Sequence, residues 1–162
     1  MKVIERLPYI KFKKIYSCVP RLNIELIILT PKGILLTLRS IEPYKGEWHV
    51  PGGTVLFREK IKDTVARVAR EELGVEVLIK KYLGYIEYES HEKIGYFGHS
   101  VGLAFLCGIK SEEICLNHAA SRAGFFKKIP KNTLIDQKKF LSSLLNKKAY
   151  SAKTRRVILI SS

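Results

Sequence analysis

Between Gly53 and Val75 the chain reads Gly-Thr-Val-Leu-Phe-Arg-Glu-Lys-Ile-Lys-Asp-Thr-Val-Ala-Arg-Val-Ala-Arg-Glu-Glu-Leu-Gly-Val, a turn followed by a strongly periodic helix. Ile61, Val65, Ala69 and Leu73 recur every four residues and form one apolar stripe. Gly74 is the natural stop, since a glycine accepts the left-handed backbone that closes a helix. A helix with one apolar stripe must bury it against a second layer, so the chain needs a sheet to receive it. Val68, Glu71 and Glu72 are related by steps of three and four and share a neighbouring face. Adjacent carboxylates repel, and nothing in helix propensity demands them. A hard divalent cation with oxygen ligands would offset that repulsion, as Mg²⁺ does when it also carries phosphate oxygens. A solvated acidic face is the competing reading. Gly52 and Gly53, just ahead of the helix, favour the cation because they let backbone approach a ligand closely.

The remaining pattern supplies the sheet. Asn23 to Thr30 and Ile34 to Arg39 are apolar runs separated by Pro31-Lys32-Gly33, which reads as a hairpin. Trp48-His49-Val50 is a short strand closed by the loop Pro51-Gly52-Gly53. Val75 to Glu89 favours strand, with Gly84 marking a bulge. Gly95 to Ile109 is another long strand, Ser111 to Ala123 a loop, Gly124 to Lys127 a short strand, and Leu134 to Lys147 an amphipathic helix. The expected architecture is a mixed sheet with helices packed on it, in one α/β (α+β) domain spanning residues 1–162. Residues 1–20 are an N-terminal extension and 147–162 a basic C-terminal tail.

Composition limits the partners. Twenty-nine Lys and Arg against fifteen Asp and Glu give a formal charge of +14, which favours anionic ligands: nucleic acid, or a phosphorylated small molecule. The basic residues are spread along the chain except for Lys147, Lys148, Lys153, Arg155 and Arg156, a cluster that reads as a solvated tail. No run approaches the roughly 20 apolar residues of a membrane span, and no signal peptide is expected. Cys18, Cys107 and Cys115 lack metal-ligand spacing and read as thiols in a reducing cytoplasm. The apolar segment Ile10, Phe12, Ile15 and Tyr16 makes a homodimer plausible.

The acidic helix and its leading glycines resemble the Nudix box. That pattern runs Gly, five residues, Glu, seven residues, Arg-Glu, an aliphatic, any residue, Glu-Glu, any residue, Gly, aliphatic. Gly53, Glu59, Arg67, Ala69, Glu71, Glu72, Gly74 and Val75 stand at the required positions. The likeness extends over roughly residues 20 to 145. It implies the Nudix α/β/α sandwich with a mixed β-sheet, and Mg²⁺-dependent (Mn²⁺ being an alternative) hydrolysis of a nucleoside diphosphate linked to another group. The resemblance also implies Glu71, Glu72 and the Gly52 carbonyl as metal ligands, with Glu59 and Arg67 supporting the loop and helix.

One position departs from the pattern. Val68 stands where the family has a Glu that ligates metal or activates the attacking water. Three readings follow: attack at the sugar carbon, attack at phosphorus with a substitute acid, or a silent nucleotide- or RNA-binding module. The GDP-mannose mannosyl hydrolase branch also lacks this Glu, cleaves at the sugar carbon, and takes its base from a later loop histidine. Glu25 in the first central strand and Arg39 at the hairpin's end are similar to an acid and a diphosphate-contacting Arg of that branch, and Tyr44-Lys45-Gly46-Glu47-Trp48 resembles it too. Direct alignment puts Ser121 at the branch's histidine, with His118 three residues earlier as the expected base and His91 and His99 as rivals. Glu87, Glu89 and Glu92 are further acids, and strand alternation puts Glu87 and Glu89 on one side, which would face the site. Tyr44, Trp48, Tyr85, Tyr88, Tyr96 and Phe97 are aromatics more often used for packing than for stacking on a base.

Overall fold

The computed structural model describes residues 6–89, 97–111 and 113–146. Its elements in chain order are α1 (Tyr9–Tyr16), β1 (Arg21–Thr30), β2 (Gly33–Arg39), β3 (Trp48–His49), β4 (Gly52–Thr54), α2 (Ile61–Leu73), β5 (Val77–Glu87), β6 (Ser100–Ile109), β7 (Ala120–Phe126) and α3 (Ile135–Asn146). The expected hairpin, the acidic helix and the C-terminal helix all form. Gly74 ends α2 in the left-handed conformation, φ 68°.

β1 organises the mixed sheet. It runs parallel to β6 from Arg21↔Ser100 to Ile28↔Cys107, and β5 adds antiparallel to β6 with a register shift at Tyr82/Gly84, where the bulge was expected. On its other edge β1 meets β2 only at Leu29↔Ile34 and Thr30↔Gly33. β2 then leaves to pair with β3 and β7, and β4 takes over the vacated edge at Asn23↔Thr54, Ile24↔Gly53 and Glu25↔Gly52. The two glycines expected in a loop are therefore a paired strand, held in register beside Glu25.

Alternation along β1 divides the core. Ile24, Leu26 and Ile28 pack with Val65, Val68, Ala69 and Leu73 of α2, while Ile27 on the opposite face joins Leu36, Leu106 and Leu141 of α3. Helices thus cover both faces, as the expected sandwich requires. Two further elements differ from expectation. β7 begins at Ala120, so Ser121 and Ala123 lie in a strand. The N-terminal segment forms α1, which has no buried residue; its Phe12 stacks on Tyr16 and meets Phe97 edge-on. His91, Glu92, Tyr96 and the basic cluster from Lys147 to Arg156 lie outside the described residues.

Val68 corrects a reading of the helix. It is 1% exposed and packs under β4, where a Cβ added to Gly53 would sit 2.9 Å from its Cγ2. Steps of three and four align it with Glu71 and Glu72 on paper, yet it belongs to the apolar stripe and the acids do not. Truncating a side chain so closely covered leaves a void that β4 is too constrained to fill. Val68→Ala is expected to lower unfolding free energy by about 1–3 kcal/mol in urea titration; an unchanged midpoint would show that the space under Gly53 is loosely filled.

Candidate active site

The backbone leading into α2 is fastened by one guanidinium. Arg67 donates from Nε to Glu59 Oε1 at 2.7 Å, from Nη2 to Glu59 Oε2 at 2.9 Å and the Thr54 carbonyl at 2.8 Å, and from Nη1 to Glu71 Oε2 at 2.8 Å. Glu59 also accepts from the Leu56 N–H and the Thr64 hydroxyl, and its side chain is only 2% exposed. Burial alone would raise this carboxyl, but the Arg67, Leu56 and Thr64 hydrogen bonds outweigh it and hold Glu59 at about 2. Neither Glu59 nor Arg67 lines the cleft described next. Arg67, which the resemblance implies as a support of loop and helix, lies behind the cleft.

β4, the end of α2, the 41–44 loop and the 117–119 loop enclose a cleft of about 750 Å³, within the size range of small-molecule sites. Gly52, Gly53, Glu71, Glu72, Glu25, Arg39 and His118 all line it, so seven of the expected site residues converge. Glu71 and Glu72 occupy the last turn of α2, where the helix dipole is negative and disfavours acids. Arg67 and Arg6 compensate Glu71. Glu72 is half-buried and accepts from Asn117 Nδ2 at 3.2 Å. Burial raises its pKa and the Glu71 charge adds to that, while the Asn117 hydrogen bond and the charges of Arg39 and Arg6 oppose it.

Glu25 sits deeper, wedged between two glycines: a Cβ on Gly52 would meet its Oε2 at 2.5 Å and one on Gly102 its Oε1 at 2.6 Å. Tyr88 donates its hydroxyl to Glu25 Oε1 at 2.6 Å. Gln137 donates to the Tyr88 oxygen at 2.8 Å and to Glu25 Oε2 at 3.3 Å, and accepts from the Val50 N–H at 2.8 Å. Burial raises the Glu25 carboxyl to about 8, against the lowering pull of Tyr88 and Arg21. It is mostly protonated at neutral pH.

His49 also lines the cleft but is unsuited to proton transfer. Its Nδ1–H donates to the Val50 carbonyl at 2.8 Å and its Nε2 accepts from the Thr37 hydroxyl at 3.2 Å. Burial and the nearby Arg39 push it down to about 3, so the ring stays neutral and both nitrogens are engaged. His118 is exposed at the cleft wall, and its carbonyl accepts from Ser40 Oγ at 2.5 Å.

Several expected residues lie elsewhere. Ser121 is exposed and bonds the Leu38 carbonyl, and His99 is exposed away from the cleft. Glu87 and Glu89 face solvent, Glu89 meeting Lys139 at 3.7 Å; alternation instead turns Ile86 and Tyr88 inward. Trp48 packs edge-on to Phe126, Tyr85 is exposed, and Phe97 lies against α1, leaving Tyr44 and Tyr88 as the cleft's tyrosines. From the sequence, Tyr88 reads only as a packing or stacking aromatic, and Asn23, Asn117 and Gln137 are not singled out. One signal was available for Asn23: Arg21, Asn23 and Glu25 are polar at alternate positions of an otherwise apolar central strand, and all three line the cleft.

Among the described residues no three His, Cys, Asp or Glu side chains converge closely enough to enclose a metal ion. The donors still suit a hard cation that completes its shell from water and phosphate: two adjacent carboxylates on a helix end that disfavours them, and β4 backbone at the same cleft. Asn23 Oδ1 is buried in the cleft wall without a hydrogen-bond partner, a cost that a ligand would relieve.

A NUDIX domain model matches residues 19–122. The chain belongs to the Nudix family. Its Nudix box is the Gly53–Val75 segment, with Val68 as the departure. Over 87 residues the chain is 44% identical to the low-salt glycan biosynthesis protein Agl8 of Haloferax volcanii, covering 54% of this chain and 56% of that protein. Over 107 residues it is 31% identical to an ADP-ribose pyrophosphatase of Methanocaldococcus jannaschii, covering 66% and 62%. The chain thus spans less than two thirds of either relative. A NUDIX hydrolase structure from Nitrosomonas europaea superposes with TM-score 0.68 at 18% identity, over 82% of this chain and 73% of that one, which shows the shared fold. Among the described residues no helix is long and apolar enough to cross a membrane.

The Glu59 clamp predicts an acid signature. Its folded pKa of about 2 lies below the ordinary 4.5, so its contribution is complete above about 4.5 and lost as pH falls towards 2. Glu59→Gln should be less stable than wild type at neutral pH, and the gap should narrow across that window in pH-dependent denaturation. A gap independent of pH would remove the charged clamp from the account.

Proposed function

We propose that the protein is a divalent-cation-dependent hydrolase of a nucleoside diphosphate linked to another group, and that this group is a sugar. The observation that carries the reading is the make-up of the cleft. Val68 withdraws into the core, only Glu71 and Glu72 reach the cleft from α2, and His118 lines the same space. Attack on an anionic phosphorus draws on carboxylates to hold the cations that neutralise it, whereas displacement at carbon needs only a cation on the departing diphosphate, for which two carboxylates suffice. Glu71, Glu72 and the Gly52 carbonyl would hold Mg²⁺ or Mn²⁺, which when bound neutralises the diphosphate and assists its departure. Arg39, whose Nε donates to the Pro43 carbonyl at 2.7 Å, presents charge to the diphosphate. His118 takes the proton of the attacking water. Glu25, whose carboxyl burial raises to about 8, offers hydrogen bonding while adding little negative charge. The name of Agl8 connects that relative with glycan biosynthesis, which supports a sugar as the linked group.

A second reading keeps attack at phosphorus. The ADP-ribose pyrophosphatase relative favours it. Nucleoside diphosphate sugars, ADP-ribose and nucleoside triphosphates incubated with the protein and Mg²⁺ separate the two. Free sugar plus nucleoside diphosphate is expected; nucleoside monophosphate plus sugar phosphate would establish the second reading. Tight binding with no turnover across the panel would make the protein a nucleotide-binding module.

Glu72→Gln tests the cation site. Turnover should fall at least about a hundredfold, as removal of a ligand exceeds the loss seen for supporting residues. Because burial raises the folded pKa of Glu72, its charge is unfavourable in the native state near neutral pH. The variant should therefore melt no lower than wild type in calorimetry. Full turnover in Glu72→Gln removes the assignment.

A further inference from the structure

Arg6 lies ahead of the family-matched region, which begins at residue 19, yet its guanidinium lines the cleft and pairs with Glu71 Oε2. This is the same oxygen that takes Nη1 of Arg67. The placement has a structural cause. Phe12 of α1 is held edge-on to Phe97 and under the Arg21 guanidinium 5.5 Å from its ring, Lys13 lies 5.8 Å over Phe97, and the Arg21 guanidinium donates from Nη2 to Ser100 Oγ at 3.0 Å. Three residues before Tyr9, the chain is thereby aimed at the end of α2. The Arg6 charge also reaches Glu72, where it opposes part of the rise that burial causes.

A divalent cation on Glu71 and Glu72 would need the carboxylate face that Arg6 occupies. Arg6 and Arg67 already meet on one oxygen there, and a divalent ion adds repulsion that exposed Arg6, unlike Arg67 with its bonds to Glu59 and Thr54, relieves by leaving. Once displaced, Arg6 remains at a cleft that also carries Arg21 and Arg39, and a planar guanidinium matches phosphate oxygens in bidentate geometry. We propose that Arg6 is a substrate-binding residue supplied by the N-terminal segment: it neutralises Glu71 while the cleft is empty and passes to the ligand's phosphate when the cation takes its place. This rests on the cation-dependent reading above and names a phosphate contact for it.

The exchange implies opposite effects on two ligands. Arg6 hinders the cation alone and helps the phosphate that follows. The pair is exposed, at 66% for Arg6 and 39% for Glu71, so the first effect is modest. In the full-length protein, Mn²⁺ alone is titrated by electron paramagnetic resonance, and GDP is then titrated calorimetrically at saturating Mn²⁺. Arg6→Ala should bind Mn²⁺ about two- to fivefold more tightly and GDP about fivefold or more weakly. Lys11→Ala, which removes an exposed charge from α1, should match wild type in both titrations. Unchanged Mn²⁺ affinity in Arg6→Ala overturns the proposal, as does a tightening that Lys11→Ala reproduces, since that would be a general field effect. Unchanged GDP affinity overturns the transfer to phosphate. A wild type that binds no Mn²⁺ at all would sink the cation-dependent reading itself rather than the role of Arg6.

Discussion

The arrangement of the cleft depends on Arg67. A helix and the short strand before it have no covalent reason to keep a fixed angle, and the residues between them form a surface loop. Arg67 removes that freedom with four donors: two to Glu59 in the loop, one to the Thr54 carbonyl at the end of β4, and one to Glu71 on the helix. The guanidinium is 17% exposed and Glu59 2%, so the pair is shielded far more than a surface ion pair. Glu71 is thereby tied to the backbone of β4, whose Gly52 and Gly53 line the same cleft. Any ligand shared between helix and strand meets a spacing set in advance.

Gly53 and Val68 supply the second constraint. The strand can lie this close to the helix because Gly53 lacks a Cβ, and Val68 fills the space beneath it. A valine at this place is thus a packing choice as well as a chemical one. It closes the core under the cleft floor and removes a charge from the cleft in the same substitution. In the sequence, position 68 reads as a lost carboxylate on the face of Glu71 and Glu72. Its burial shows that the residue has passed from the polar site to the apolar layer.

Legibility in the sequence followed the range of the interactions. The hairpin, the acidic helix and its Gly74 stop, and the C-terminal helix rest on local periodicity and turn chemistry, and each was readable within a window of a few residues. The box residues were readable because their spacing is fixed along one loop and helix. Tyr88, Asn117 and Gln137 were not, because each reaches the cleft through tertiary pairing: Tyr88 is 63 residues from Glu25, Gln137 112 residues away, and Asn117 45 residues from Glu72. The misplacement of Glu87 and Glu89 has the opposite origin. Alternation puts the two acids on one side, but charge alone does not mark the site face; buried Ile86 and Tyr88 show which face is inward. β7 starts earlier than its Phe-rich end suggests because buried Ala120 pairs with Arg39 and exposed Arg122 with Leu38.

Charge in the cleft is graded by depth. At the mouth, Arg6 and Glu71 are exposed, and their attraction is weak enough to be exchanged for another partner. Midway, Glu72 is half-buried and its charge costs enough that a single amide, Asn117, only partly offsets it. At the floor, Glu25 is buried to the point where protonation is the cheaper solution, with Tyr88 and Gln137 satisfying what remains polar. The gradient gives the three acids different capacities although all are glutamates. A cation finds its charge at Glu71 and Glu72, near solvent, where dehydrating the ion costs least. Negative charge is suppressed at the floor, where a desolvated carboxylate would repel an anionic ligand most strongly. A cleft built this way can accept metal and phosphate together, with the positive ion and the guanidiniums at the mouth and an uncharged acid beneath.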